Sequence, residues 1–132
     1  DDITRMWLDT LLQLTRIRQK TVERFYRCDS PELKRFMCMR IIPEENSLLR
    51  IEHEVLSVEQ RAVPVHIRFA ASAPGQNLRL RCSVCGRVKM DEVWQEPVVE
   101  QRDGVGGILV AYSVCETCVA PMSSVLKSER YP

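Results

Sequence analysis

Cys82-Ser83-Val84-Cys85 and Cys115-Glu116-Thr117-Cys118 are two C-x-x-C pairs in one chain. Four thiolates arranged in this way form the ligand set of one tetrahedral metal. Zinc binds sulfur at about 2.3 Å, and a two-residue gap lets one tight turn aim both sulfurs at a shared point. Gly86 follows the first pair, where a knuckle turn commonly needs a positive φ that other residues adopt at a cost. A spacer of 29 residues, 86–114, separates the pairs. That is longer than the compact four-cysteine pattern, so a hairpin or loop must fit between the knuckles. Cys82, Cys85, Cys115 and Cys118 are therefore candidate ligands for Zn2+, and they fill all four positions. A catalytic zinc keeps one position open, so this set predicts a structural centre. An iron–sulfur centre uses the same ligands and is the chemical rival. Two disulfides, or one redox pair beside a structural one, are the oxidised alternatives.

Other chemistry-bearing residues give weaker patterns. Asp103-Gly104-Val105-Gly106-Gly107 has glycines without the strand–helix frame of a phosphate loop, and no nucleophile elbow or His/Cys catalytic grouping is visible. His53 falls on the apolar phase of its segment and reads as a core residue; His66 shares the polar phase with Arg68. Glu96 and Glu100 would be neighbours on a helix but make no acid–base pair. The expectation is a non-enzymatic protein. Arg79, Arg81, Arg87 and Lys89 surround the first knuckle, which makes a zinc-ribbon nucleic-acid binder an alternative. The absence of an interleaved aromatic ladder and the closeness of Asp91, Glu92 and Glu96 count against it. A thiol redox sensor, in which oxidation ejects the metal, is a third reading.

Net charge +1, with 28% charged and 45% hydrophobic residues, gives no general drive toward nucleic acid or membrane. No apolar run approaches the roughly 18 residues that span a bilayer. No signal peptide is visible, and the start at Asp1 without an initiating Met predicts a preceding segment. Four cysteines in C-x-x-C pairs suit a reducing cytoplasm. Cys28 and Cys38, in strand-like stretches, read as small buried hydrophobes.

Several elements must position these groups. Ile3, Met6, Trp7, Leu11, Leu14 and Ile17 recur at helical spacing and predict an amphipathic helix over 3–20, with Asp2 as N-cap and Arg16, Arg18 and Lys20 in the last turn. Three strands follow: Thr21–Cys28, Leu33–Ile42, and an alternating segment carrying Leu49, Ile51, His53 and Val55. They are separated by Asp29-Ser30-Pro31-Glu32 and by Pro43 to Ser47. Together they predict a three-stranded antiparallel meander after one helix. Val63 to Phe69 is a possible fourth strand, which Pro64 places at an edge. Residues 70–77 form a linker, Met90–Gln101 a short helix or irregular loop, Ile108–Val114 a strand delivering the second pair, and Cys115–Leu126 the start of a helix. The predicted domains are 1–69, helix and antiparallel sheet, and 78–132, a four-cysteine appendage.

Tyr26-Arg27-Cys28-Asp29-Ser30-Pro31, Arg35-Phe36-Met37 and Met39-Arg40-Ile41, together with Cys82-Ser83-Val84-Cys85-Gly86-Arg87-Val88-Lys89, Trp94 and Cys115-Glu116-Thr117-Cys118, resemble small bacterial PAS-like proteins of unassigned activity. Those proteins end in a C-x-x-C…C-x-x-C tail, which also occurs on some PAS sensor and response-regulator proteins. The resemblance implies an α+β fold: a PAS-like half, with long helix and antiparallel meander, joined to a zinc-ribbon-like appendage. Where the family usually has a His-Gly pair before the second cysteine pair, this chain has Tyr112-Ser113, so no role for that histidine carries over. A PAS domain also has strands and short helices before its long helix, and none precedes Asp1. The resemblance implies that the first half lies outside this sequence or that another chain covers the sheet. It further implies a sensory, signalling or interaction module, a homodimer formed through the long helix or a signalling-protein partner, and a small-molecule or partner site on the concave sheet face. Met37, Met39, Leu49, Ile51 and Val55 are the candidate lining.

Overall fold

The computed structural model describes residues 2–69, 78–99 and 107–120. It is an α+β structure with one long helix, an antiparallel sheet and a second, mixed sheet. Helix α1 spans Asp2–Arg18 and ends where Gln19 turns to φ 53, its N–H still bonded to the Thr15 carbonyl at 2.9 Å. Strands β1 (Val22–Arg27), β2 (Leu33–Pro43) and β3 (Leu49–Gln60) form the antiparallel sheet in the order β1-β2-β3. The Asp29-Ser30-Pro31-Glu32 turn closes on itself through Ser30 N–H to Leu33 O at 2.9 Å.

Alternation along β2 sorts the sheet's two faces. Met39 and Ile41 point toward α1 and form a buried core with Leu11, flanked by Trp7, Leu8, Leu12, Val22, Tyr26 and Leu49. The hydroxyl of Thr15, fully buried on the same helix, donates to the Leu11 carbonyl at 2.9 Å. Met6 and Ile17 belong to the sequence's apolar stripe but lie outside this contact, 64% and 70% exposed. On the opposite face Cys38 is only 1% exposed, beneath a shallow cover of Glu23, Arg40 and Glu54, whose side chains are ion-paired at 3.0 and 2.8 Å. Cys28 corrects its expectation: it falls after β1 ends and is exposed.

α1 lies over β1 and β2, and β3 is exposed at every residue except Leu49. The expectation of a half-buried third strand is corrected there, because alternation sets which way side chains point and not whether anything covers them. His53 is accordingly exposed, its Nδ1 2.8 Å from the Tyr26 hydroxyl.

The second sheet has the order β4-β8-β5-β6-β7, from Ile67–Phe69, Arg79–Cys82, Val88–Met90, Val93–Gln95 and Ile108–Ser113 as β4 to β8. β8 runs parallel to both β4 and β5; the other pairs are antiparallel. β4 thus extends this sheet and not the meander. Gly107 enters β8 at φ 81, where a Cβ would collide with the His66 backbone. Val93–Gln95, anticipated as helix or loop, pairs with β6 through a tight turn in which Asp91 and Glu92 both take positive φ, 48 and 66. That is the handedness a two-residue hairpin turn needs. Val65, Ile108 and Val110 form this sheet's own small core. The linker 70–77, Glu100, Asp103–Gly106 and the chain after Ala120 lie outside the described residues. Among the described residues no helix is long and apolar enough to cross a membrane.

Candidate metal centre

β5 delivers Cys82 as its last residue, and the chain turns back at once. The Cys82 N–H bonds Arg87 O at 2.8 Å and the Gly86 N–H bonds Cys82 O at 3.1 Å, closing the knuckle with Gly86 at φ 77. The second knuckle follows β8. Its Cys118 and Val119 N–H groups both bond Cys115 O at 3.0 Å as residues 116–120 enter a helical turn. Parallel pairing of β5 with β8 sets Cys82 beside Ser113, and Ser83 N–H to Ser113 O at 2.8 Å fixes the two knuckles side by side. The long spacer between them is thus partly used by the β6–β7 hairpin.

The four sulfurs of Cys82, Cys85, Cys115 and Cys118 all lie within 4.8 Å of one another. Cys85 Sγ and Cys115 Sγ are 3.8 Å apart, close to the edge of about 3.8 Å of a tetrahedron with metal–sulfur bonds of about 2.3 Å. All six cysteines are free, and no disulfide joins any two of the four. The donor set fits a four-coordinate, sulfur-preferring ion, and these cysteines are positioned to bind one.

Two donors address the sulfurs from outside. Arg87 Nε lies 3.2 Å from Cys85 Sγ, and the Cys115 N–H lies 3.4 Å from Cys82 Sγ. Hydrogen bonds from Cys118 and Cys82 hold the Cys85 sulfur well below the usual thiol range; burial opposes this and Arg87 reinforces it. Cys118 is pushed up by the same bonds to Cys82 and Cys85, and Cys115 is raised chiefly by burial. A metal needs its sulfurs as thiolates, so binding an ion would release the protons that the raised Cys115 and Cys118 thiols hold.

Cys82, Val84 and Cys115 are buried against Trp7 of α1 and Tyr26 of β1, and Trp94, Val114 and Cys118 complete that cluster. Val84 O accepts the Arg27 N–H at 2.8 Å, so the knuckle occupies part of the outer edge of β1. Arg27, its side chain 8% exposed, is forked onto Asp29 (2.9 and 2.6 Å) and reaches Glu96 at 2.6 Å from just beyond β7. The cysteine-bearing half is thereby tied to the antiparallel sheet by backbone, apolar and ionic contacts.

The other sequence-marked residues are dispersed. Met39 is core and Leu49 packs on it, whereas Ile51 and Val55 are 41% and 55% exposed on β3. Of the five, Met37 lines a cavity of about 370 Å³ beside the knuckle, with Phe25, Phe36, Leu56, Cys85 and Arg87 among its neighbours. Arg81 pairs with Val88, so Arg79 and Arg81 share one face of the sheet and Arg87 and Lys89 the other. Lys89 sits over the Trp94 ring at 5.9 Å. The basic residues therefore make no single patch. Arg27, Asp29 and Arg61 form a buried ionic cluster, with the part-exposed Glu96 at its edge, that sequence reasoning missed, because its members meet only through the fold.

In comparisons with known proteins, no family model, no curated protein and no solved structure matches this chain.

Proposed function

We propose that this chain is a non-catalytic sensory or interaction module of PAS-like type, held together by a structural zinc. The observation that carries the proposal is the convergence of four cysteine sulfurs within 4.8 Å, at the point where the second sheet meets α1 and β1. With four protein sulfurs on the ion there is no position for substrate, which favours a clamp over a catalyst. Among the described residues the second sheet's apolar clusters are small, Val65, Ile108 and Val110 being one, so the ion's binding free energy becomes much of the local folding free energy. PAS-like character rests on the sequence resemblance and on a long helix laid across an antiparallel meander.

Surface left without cover in the described chain supports the interaction role. β3 is a twelve-residue edge strand with Ile51, Val55, Leu56 and Val58 between 41% and 55% exposed, and α1 keeps Met6 and Ile17 exposed. Long apolar edges of this kind are usually shielded. The partner we assign is a second copy of the chain.

Elemental analysis of reduced protein tests the centre. One zinc per chain in colourless protein is the expected result; iron with visible absorbance, or no bound metal, overturns the zinc assignment. Sedimentation equilibrium of the loaded protein tests the partner: a dimer is expected, weakened by Met6→Glu or Val55→Lys, and a monomer at high concentration removes the second-copy assignment.

A further inference from the structure

A second, polar cavity adjoins the ionic cluster through Asp29 and Arg61. It encloses about 230 Å³ and is walled by Asp29, Ser30, Arg61, His66, Arg81 and Tyr112. Among the described residues its charge is unbalanced. Asp29, its side chain 2% exposed, spends both oxygens within the protein: Oδ1 accepts from Arg27 Nε (2.9 Å) and the Arg35 N–H (3.1 Å), and Oδ2 from Arg27 Nη2 (2.6 Å) and Arg61 Nη2 (2.8 Å). Glu96, the second carboxylate of the cluster, faces Arg27 and Lys34. Arg27, Arg61 and Arg81 are thus set against two carboxylates, and both carboxylates are held chiefly by Arg27.

Arg61 is the more telling residue. Its side chain is 6% exposed, yet its Nε is buried without a hydrogen-bond partner. An orphaned donor on a buried guanidinium is costly unless something accepts from it. Arg81 adds a second guanidinium, joined through Nε to Gly86 O at 3.3 Å and to no carboxylate among the described residues. The pairing Arg81 to Tyr112 across β5 and β8 places the phenol beside it on the same sheet face. Two guanidinium groups, a phenol, an imidazole and the Ser30 hydroxyl around a small polar hollow form a donor-rich pocket whose one acid is already saturated.

We infer that this pocket binds a small dianionic oxyanion of the phosphate class, either inorganic phosphate or the head of a phosphomonoester, between Arg61 and Arg81. Arginine's planar fork suits such oxygens. The volume is below the range that encloses drug-sized ligands, which restricts the guest to a small group.

Titration of the metal-loaded protein with inorganic phosphate, and separately with glycerol 1-phosphate, at fixed ionic strength tests the inference by calorimetry and amide shifts. Saturable one-to-one binding is expected, with amide shifts at Arg61, Arg81 and Tyr112. Tighter binding of the ester would identify an organic phosphate as the guest; tighter binding of phosphate would identify the free ion. Arg81→Gln is expected to weaken binding about tenfold or more, while Arg68→Gln, an exposed arginine on β4 outside the pocket, leaves it unchanged. Arg81 lies outside the Asp29 ion pairs, so its variant should keep the parent melting temperature within a few degrees. Absence of saturation, equal weakening by both variants, or acetate binding as tightly as phosphate would each overturn the inference.

Discussion

The Arg27 amide donates to the Val84 carbonyl across 2.8 Å, joining a strand of the meander to the loop between two cysteines positioned to bind a metal. The same residue's guanidinium stacks over Phe36 at 4.7 Å and grips Asp29 and Glu96. Arg27 is therefore the mechanical link between sheet and knuckle: its backbone reads the position of Val84, and its side chain reads the position of the segment after β7.

Metal removal should act first on that link. Once chelated under reducing conditions, the knuckles lose the ion that orders Ser83 to Arg87, and Val84 no longer holds its place beside β1. Hydrogen exchange should show the amides of Arg27, Cys82 and Ser83 losing protection, while β2 amides such as Ile41 keep theirs beneath α1. Uniform protection before and after chelation would show that metal contributes nothing to the docking.

Arg87 is expected to tune the centre without ligating it. Its Nε addresses Cys85 Sγ at 3.2 Å, and the sulfur in turn pushes the guanidinium above its ordinary value through that bond and through charge. Removing an outer-shell donor of this kind typically lowers metal affinity 10–100-fold. Arg87→Gln should therefore lose about that much in competition with a chromophoric chelator, whereas Lys89→Gln, whose amine faces Trp94 and Glu92, should lose little.

The two knuckles were legible because a C-x-x-C pair is a local device: turn and sulfur direction are written within four residues, with Gly86 added to the first. The helix and the meander were legible for a similar reason, since Leu11, Met39 and Ile41 carry the correct periods. What the sequence hid is coverage and long-range pairing. Val55 alternates like a half-buried residue, yet it is 55% exposed. Phe69 pairs in parallel with Val110, forty-one positions away, and no local signal announces that. Asp29 and Arg61 meet for the same non-local reason. The β6–β7 hairpin was missed because glutamate is a poor residue for positive φ; the usable clue was Val88-Lys89-Met90 and Val93-Trp94-Gln95 alternating around two acidic residues.

Glu96 should make stability depend on acid pH. Burial opposes its charge, but the hydrogen bond and charge of Arg27 outweigh that and lower its pKa from the ordinary 4.5. A depressed carboxylate contributes stability that is present above the unfolded value and lost as pH falls through the folded one. Glu96→Gln is thus expected to destabilise the protein at pH 7, by about 1 kcal/mol or less because the side chain is 41% exposed and screened. The gap between variant and parent should close as pH drops below the ordinary carboxylate value. Denaturant melts across that window check it, and a gap that widened in acid would contradict the ion-pair account.

The hairpin turn offers the reverse case, a substitution that should stabilise. Asp91 and Glu92 take φ 48 and 66, and a two-residue turn of this hand favours Asp followed by Gly. Glu92 keeps a Cβ in the left-handed region at a cost of roughly 1 kcal/mol, and its contact to Lys89 at 3.3 Å returns little because the glutamate is 92% exposed. Glycine relieves that strain but is more flexible when unfolded, which offsets part of the gain. Glu92→Gly should therefore raise stability by about 0.5 kcal/mol, while Glu92→Val, β-branched at the same φ, should lower it. If thermal melts of the metal-loaded proteins ranked the two the other way, the left-handed turn would not be the conformation in solution.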